Sequence, residues 1–520
     1  MRAVLAGRAG SPAELVVTLG GGARRLGGWL DHRAVWVYGA LIALVMATCR
    51  LAIVSFTIEP DESWILLSTY KAFHLAPPGA EGIRFPTITS GGLHLLVHGL
   101  LGLATRAILF HRLVSLLFLA GLLAMVFALL RRRGTGRGQA AMATALVLAT
   151  PGLVLQSALA MAEIMVTVVL LATAIHWERR GRLSLAGSAL TGMLLGLSCA
   201  TRTNCLVAMP VFVAFAALDA EDWARGLSRA AALAAAALAT YALGVLGYAA
   251  LFSIGDWNGF KAAILGATGV AKEKGLGQRI PDIALAADFF PPFLIAALLG
   301  AIAACRPRGI EPLRLPLLLV ALGLAGAAAW VAKAPIPHVR YAWPFAPFLF
   351  VAAGLMVPLT GLLAQGWTRL ALHLFVIAAV LQQTATSLVY INTGDSLVAV
   401  YQANRQAILS GRMASHSSAA DQQAMARALA ALPAQAEVTT PTTPMGYPLT
   451  YLSGREIRGV LPWNDAGSAP RYVLLSPGDF AVFHPDAKTI AWLHRNGTPA
   501  FHSGEYALFA ITGHEPYPTP

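Results

Sequence analysis

The sequence predicts an all-α polytopic membrane protein that ends in a small α/β domain. Three observations carry that prediction. Of 520 residues, 57% are hydrophobic and only 12% are charged, about half the charged share of an ordinary soluble domain, and the mean hydropathy is +0.64. Apolar runs of about 17–25 residues, the length needed to cross ~30 Å of hydrocarbon, recur along most of the chain. Past Ile391 the composition turns polar and stays so to the C-terminus.

Taken in order, the first span runs from about Trp36 to Phe56 and is followed by a largely polar loop from Thr57 to Thr105. Ala107–Leu130 is the second span and ends on "RRRGTGRG". The runs Ala140–Leu155 and Ile164–Trp177, then Leu183–Ala200 and Cys205–Leu218, read as two hairpins. Ala230–Ile254, Phe289–Ala304, Leu315–Val331, Phe345–Leu363 and Leu370–Ile391 complete a set of about eleven spans. With the N-terminus inside, the basic clusters at Arg131, Arg179 and Arg306 fall on the cytoplasmic side, as the positive-inside rule requires. The expected organisation is a cytoplasmic segment 1–35, a transmembrane domain 36–391 and an extracytoplasmic domain 392–520. In that last domain "DQQAMARALAALP" predicts an amphipathic helix. "RYVLLSP" and "EYALFAIT" predict strands.

The net charge of +13 does not point to nucleic acid, because the basic residues sit in short clusters between apolar runs. The four cysteines lie in or beside apolar segments with neither disulfide nor CxxC spacing, so no disulfide frame or metal ribbon is expected. The N-terminus lacks the short apolar core and cleavage site of a signal peptide.

Chemistry is expected where charge interrupts this pattern. In "FTIEPDESWILL" the acids Asp61 and Glu62 follow the first span and precede an apolar run, the kind of placement that tunes a carboxylate to act as a general base, a solvated acidic loop being the alternative. In "LGLSCATRTNCLVAMPVFV" Arg202 stands alone in an apolar stretch, where an ionisable residue is a functional-site hypothesis by default and a snorkelling turn arginine is the alternative. Glu163, at the turn of the preceding hairpin, pairs either with Arg202 or with a bound ligand. In "PIPHVRYAWPFAP" the residues His338, Arg340 and Tyr341 form either an aromatic belt with a snorkelling arginine or a phosphate clamp. His94 and His98 are spaced i, i+4, but two ligands without a third do not make a metal site.

The predicted arrangement puts carboxylates and arginines on one face of the membrane. For a sugar carried on a polyprenyl phosphate, the leaving phosphate needs a cation and the acceptor hydroxyl needs a base. One ionised carboxylate and one or two arginines suffice for both.

The order of features also resembles the GT-C glycosyltransferases, the branch of protein O-mannosyltransferases and lipid A aminoarabinose transferases. "PDE" after the first span resembles the family's Asp-Glu motif, and "FHRLVSLL" its arginine-bearing second span. "GMLLGLSCATRTNCLVAMP" is similar to its segment leading to a proline, "HVRYAWPFAP" to its Arg-Tyr element, and "PLTYLSGREIRGV" to the tail of bacterial members. The resemblance implies a bacterial inner-membrane, inverting glycosyltransferase. Its donor would be a polyprenyl-phosphate sugar and its acceptor an envelope lipid, glycan or protein outside the cytoplasm. Asp61 would be the catalytic base and Glu62 its support. Glu163 would be a second acid, and Arg202 and Arg340, with His338 and Tyr341 beside them, would contact the lipid-linked phosphate. Some family members bind a divalent metal, but no ligand set is legible here and no cofactor is predicted. A multi-pass transporter or lipid-linked glycan flippase is the alternative; it would place charges at mid-span in paired halves. A polymerase or ligase would carry its large outer loop late in the chain.

Overall fold

The computed structural model describes residues 12–58, 60–77, 80, 91–218, 222–251, 290–305, 309, 311–333, 344–360, 366–393, 418–441, 443–459, 471–476 and 487–512. Its larger part is a bundle of apolar helices, α1 (Pro12–Ser55), α4 (Ile108–Arg132), α5 (Arg137–Val147), α7 (Ala162–His176), α8 (Leu185–Thr201), α9 (Ala208–Leu218) and α10 (Trp223–Leu251). They are followed by α11 (Pro292–Cys305), α12 (Arg314–Lys333), α13 (Ala346–Thr360) and α14 (Gly366–Thr393). Among the described residues five helices are long and apolar enough to cross a membrane, from His32–Ser55 to Trp367–Leu388. Several other predicted spans appear as shorter apolar helices, among them Leu185–Thr201 and Ala346–Thr360.

Three local features differ from the sequence reading. α1 begins at Pro12, well ahead of Trp36. The run expected near Ala140–Leu155 breaks at Pro151 and Gly152, whose φ of 74 admits no ordinary side chain, and resumes as the single turn α6 (Leu153–Gln156). The segment expected as a polar loop after the first span holds two helices, α2 (Pro60–Ala72) and α3 (Gly92–Ala104). Pro60 is pre-organised for a first helical turn, and the acids behind it suit the positive helix N-terminus.

Helices α8 and α10 approach through Gly192 and Gly196, where an added Cβ would collide with the carbonyl oxygens of Leu233 and Ala237. Small residues four apart are what bring two helix backbones together where lipid offers no hydrophobic drive. Across the bundle, α1 and α14 are joined by a buried bond between the Tyr38 hydroxyl and His373 Nδ1 at 2.6 Å.

The C-terminal domain is a five-stranded sheet, β1 (Glu437–Thr440), β2 (Ile457–Gly459), β3 (Arg471–Leu475), β4 (Gly497–Ser503) and β5 (Tyr506–Ile511), in the order β2-β1-β3-β5-β4. β1 runs parallel to β2 and β3, while β5 is antiparallel to β3 and β4. Strand alternation builds the two faces. Leu474 and Leu508 pack with Met425 and Leu429 of α15 (Ala419–Ala430) and Leu449 of α16 (Thr443–Ser453). Val473 and Leu475 pack with Trp492 and Leu493 of α17 (Ala487–Asn496) on the other face.

α15 opens with a capping box: the Asp421 N–H donates to Ser418 Oγ, while the Ser418 N–H and hydroxyl donate to Asp421 Oδ2. The Ser503 hydroxyl donates to Asp421 Oδ1 at 2.8 Å. The Ser418 bonds, with that of Ser503, hold the Asp421 carboxyl below its ordinary range.

Two outcomes are expected. Gly192→Leu should force α8 and α10 apart and cost about 1–3 kcal/mol, read as a lower melting temperature of the purified protein in detergent. Because the folded pKa of Asp421 is depressed, its small stabilisation is present above the unfolded carboxylate pKa of about 3.9 and is lost as pH falls through the folded value. The C-terminal domain should therefore weaken below about pH 4 in a thermal melt, and Asp421→Asn should flatten that dependence.

Candidate active site

One end of the helix bundle gathers the buried charge. Arg112, in the first turn or so of α4, enters from "ILFHRLVSLL" and is 1% exposed; Glu62, in the first turn of α2, is fully buried. The two carboxylate oxygens accept from Arg112 Nε at 2.9 Å and Nη2 at 2.7 Å. The remaining guanidinium protons are also engaged. Nη1 donates to the carbonyls of Ile53 and Phe56, both at 3.0 Å, and Nη2 to that of Thr57 at 2.8 Å. Arginine carries five N–H donors in a fixed fork, and here all five are used. They hold the last turn of α1, the linker and the start of α2 as one piece.

Glu62 reaches a third partner, the Ala160 N–H, at 2.7 Å. The carbonyl of the same residue accepts from His94 Nε2 of α3 at 3.2 Å. Ala160 thus joins the acid of α2 to the histidine of α3, just ahead of α7, where Glu163 lies in the first turn. Arg202 follows the last residue of α8 in extended backbone, and α3 abuts that point: the Gly91 N–H donates to the Thr201 carbonyl and the Leu93 N–H to Thr201 Oγ1. Gly92 stands at φ +45 against Thr201, with no room for a Cβ.

Arg202 Nη2 lies 2.7 Å from Glu163 Oε1, with the side chains 3% and 0% exposed. Neither Glu163 oxygen receives an aligned hydrogen bond, so charge rather than donor geometry holds this contact. The two buried pairs therefore differ. Glu62–Arg112 is bidentate and hydrogen-bonded, whereas Glu163–Arg202 is an ion pair in which neither Glu163 oxygen takes an aligned hydrogen bond.

Beside them runs a chain of polar aromatic contacts. His98 Nδ1 and His111 Nδ1 are 2.9 Å apart, His111 Nε2 lies 2.7 Å from the Tyr70 hydroxyl and 3.3 Å from the Thr105 carbonyl, and Tyr70 meets the Tyr451 hydroxyl at 3.3 Å. The Tyr451 hydroxyl donates to the Arg106 carbonyl. A carbonyl only accepts, so that last bond sets the direction of the others: Tyr70 donates to Tyr451, His111 Nε2–H to Tyr70, and His98 Nδ1–H to His111. Burial pushes the Tyr70 phenol up to about 12, which keeps it protonated in this role.

The residues expected to carry chemistry are distributed as follows. Glu62, Glu163 and Arg202 meet at this end of the bundle. Asp61 lies beside Glu62 in the first turn of α2, with its side chain outside the described residues. His338, Arg340 and Tyr341 also lie outside them. His94 and His98 belong to the polar chain. Among the described residues no group of three His, Cys, Asp or Glu side chains is placed to hold a metal ion. Arg112, His111, Tyr70 and Tyr451 are residues of this end that the sequence did not single out as site residues. For Arg112 the signal was present, a lone arginine inside an apolar span.

Removing the Arg112 partner leaves a buried, uncompensated carboxylate, so Arg112→Met should destabilise the protein by about 3–5 kcal/mol, measured by thermal melt or by loss of monodisperse protein. Adding Glu62→Gln should recover only part of that loss, because the carbonyls of Ile53, Phe56 and Thr57 remain without their donor.

No protein-family model and no curated protein sequence matches the chain. Solved structures do. The crystal structure of ArnT from Cupriavidus metallidurans bound to undecaprenyl phosphate aligns with a TM-score of 0.59 at 14% identity, over 91% of this chain and 98% of that one. The apo state of the same protein aligns at 0.57 and 16% identity, over 91% and 97%. The likeness runs through both the helix bundle and the C-terminal domain, and the chain has the GT-C fold that its sequence features resemble.

Proposed function

We propose that the protein is a membrane glycosyltransferase that moves a sugar from a polyprenyl phosphate to an acceptor hydroxyl or amine of an envelope lipid, glycan or protein. The observation that carries the proposal is the convergence of Asp61, Glu62–Arg112 and Glu163–Arg202 at one end of an apolar bundle. A transporter needs its charges at mid-span, between halves that rock against each other; here they gather at helix ends. The undecaprenyl phosphate in the ArnT structure supports a lipid-linked donor on the same fold.

In this reading Asp61 takes the proton from the acceptor, whose oxygen or nitrogen forms the new bond to the anomeric carbon. The bond from that carbon to the phosphate oxygen breaks, with inversion, and the polyprenyl phosphate departs as an anion. Arg202, and Arg340 from the segment outside the described residues, neutralise the phosphate, with His338 and Tyr341 of the same segment as further donor-binding residues. Glu62 is not a second base: held by Arg112 at both oxygens, it fixes the turn that carries Asp61. We place this end of the bundle, and the C-terminal domain, outside the cytoplasm of a bacterial inner membrane; the positive clusters at the other helix ends support that orientation.

The test compares wild type with Asp61→Asn in membranes supplied with radiolabelled undecaprenyl-phosphate sugars. The variant should remain folded, and transfer should fall by about 10²–10⁴-fold, because an amide cannot take the hydroxyl proton. Intact labelled lipid crossing the bilayer equally with both proteins would replace this reading with the flippase.

A further inference from the structure

We propose that Gln422, in the soluble domain, is a positioning residue for the acid-bearing turn at the mouth of the bundle. Its kinetic consequence rests on the transferase reading; the contact itself rests on geometry. The Gln422 side chain is 3% exposed. The Ile58 N–H donates to Gln422 Oε1 at 2.8 Å, and Gln422 Nε2 donates to the Ile58 carbonyl at 3.0 Å. One side chain thus satisfies both backbone groups of one buried residue, as a neighbouring strand would. Ile58 lies three positions before Asp61.

The clamp completes what Arg112 begins. Arg112 holds the carbonyls of Phe56 and Thr57 from the membrane side, and Gln422 holds that of Ile58 from the domain side, so three consecutive carbonyls are fixed. Gln422 is fixed in turn. It sits in the first turn of α15, next to the capping-box acid Asp421, and that helix is anchored in the domain core by Met425 and Leu429. A second contact runs alongside, where Tyr451 stacks on Tyr70 of α2 with ring centroids 6.0 Å apart and donates to the Arg106 carbonyl. A glutamine suits the role because its amide both donates and accepts in one plane; an ionised glutamate only accepts. A shift of about 1 Å in a catalytic group is enough to cost about 10²-fold in rate.

The experiment uses the full chain in lipid nanodiscs, with Gln422→Ala, Gln422→Met and Ser503→Ala. Two quantities are read: amide exchange of peptides spanning residues 52–66, and the kcat and KM of transfer from radiolabelled undecaprenyl-phosphate hexoses and pentoses to added bacterial envelope lipid, glycan and protein. Exchange should accelerate about tenfold or more in both Gln422 variants, since each lost bond exposes the turn to opening. kcat should fall by about 10²-fold with the donor KM within about threefold of wild type. Gln422→Met matters most, because it keeps the volume without a charge or a hydrogen-bonding amide: a packing role leaves it like wild type, whereas the clamp makes it resemble Gln422→Ala. Ser503→Ala, which removes only the neighbouring bond to Asp421, should leave exchange at 52–66 unchanged. Unchanged exchange in Gln422→Ala, wild-type behaviour of Gln422→Met, or faster exchange with unaltered kcat would each overturn the proposal. If wild type transfers from none of these donors, the transferase reading fails, and the exchange of the two Gln422 variants alone then decides the clamp.

Discussion

The buried pair of Arg112 and Glu62 is the constraint on which this end of the molecule depends. Two charges removed from water repay their desolvation only when geometry is good and every remaining donor and acceptor is satisfied. Here the bidentate contact, three α1-side carbonyls and the Ala160 N–H meet that condition. The consequence is mechanical. The end of α1, the linker, the start of α2 and the segment before α7 cannot move independently without stranding a charge. Asp61, one residue before Glu62, inherits that rigidity through the backbone.

From that fixed point the rest of the site is laid out by short links. Ala160 passes the constraint to His94 and α3; α3 is tied by Gly91 and Leu93 to Thr201, the residue before Arg202. α8, which ends there, is set by its close glycine contacts with α10. From the other side, Gln422 and Tyr451 bring the soluble domain onto the same turn. A site assembled from four helix ends and a separate domain keeps its geometry only if these links are stiff, and most of them are buried hydrogen bonds to backbone atoms.

The sequence revealed the apolar bundle, the polar C-terminal domain and its principal helix and strands, because hydropathy and strand alternation are local signals. It also marked Glu163 and Arg202 as charges in apolar surroundings and left open whether they meet each other or a ligand; the structure brings them to 2.7 Å. What stayed hidden depends on distance along the chain. Arg112 stands out as a lone arginine in an apolar span, but nothing local names its partner Glu62, 50 positions earlier. Gln422 lies 364 positions from its partner Ile58, and nothing in "DQQAMARALA" distinguishes it from a solvated helix residue. The helices between Thr57 and Thr105 were masked by their polar, proline- and glycine-containing flanks, and the short α6 by a break that only Gly152 allows.

The central claim is that the charged end of the bundle receives a lipid-linked phosphate, and photo-crosslinking tests it most directly. An undecaprenyl phosphate analogue with a diazirine beside the phosphate would be irradiated with the protein in nanodiscs and the labelled peptides mapped. The account predicts label in peptides around residues 56–64, 91–98, 160–163 and 202–207, displaced by excess undecaprenyl phosphate. Label concentrated at the opposite helix ends, around Arg131–Thr135 and Trp177–Arg182, or spread over the lipid-facing surface without competition, would contradict it.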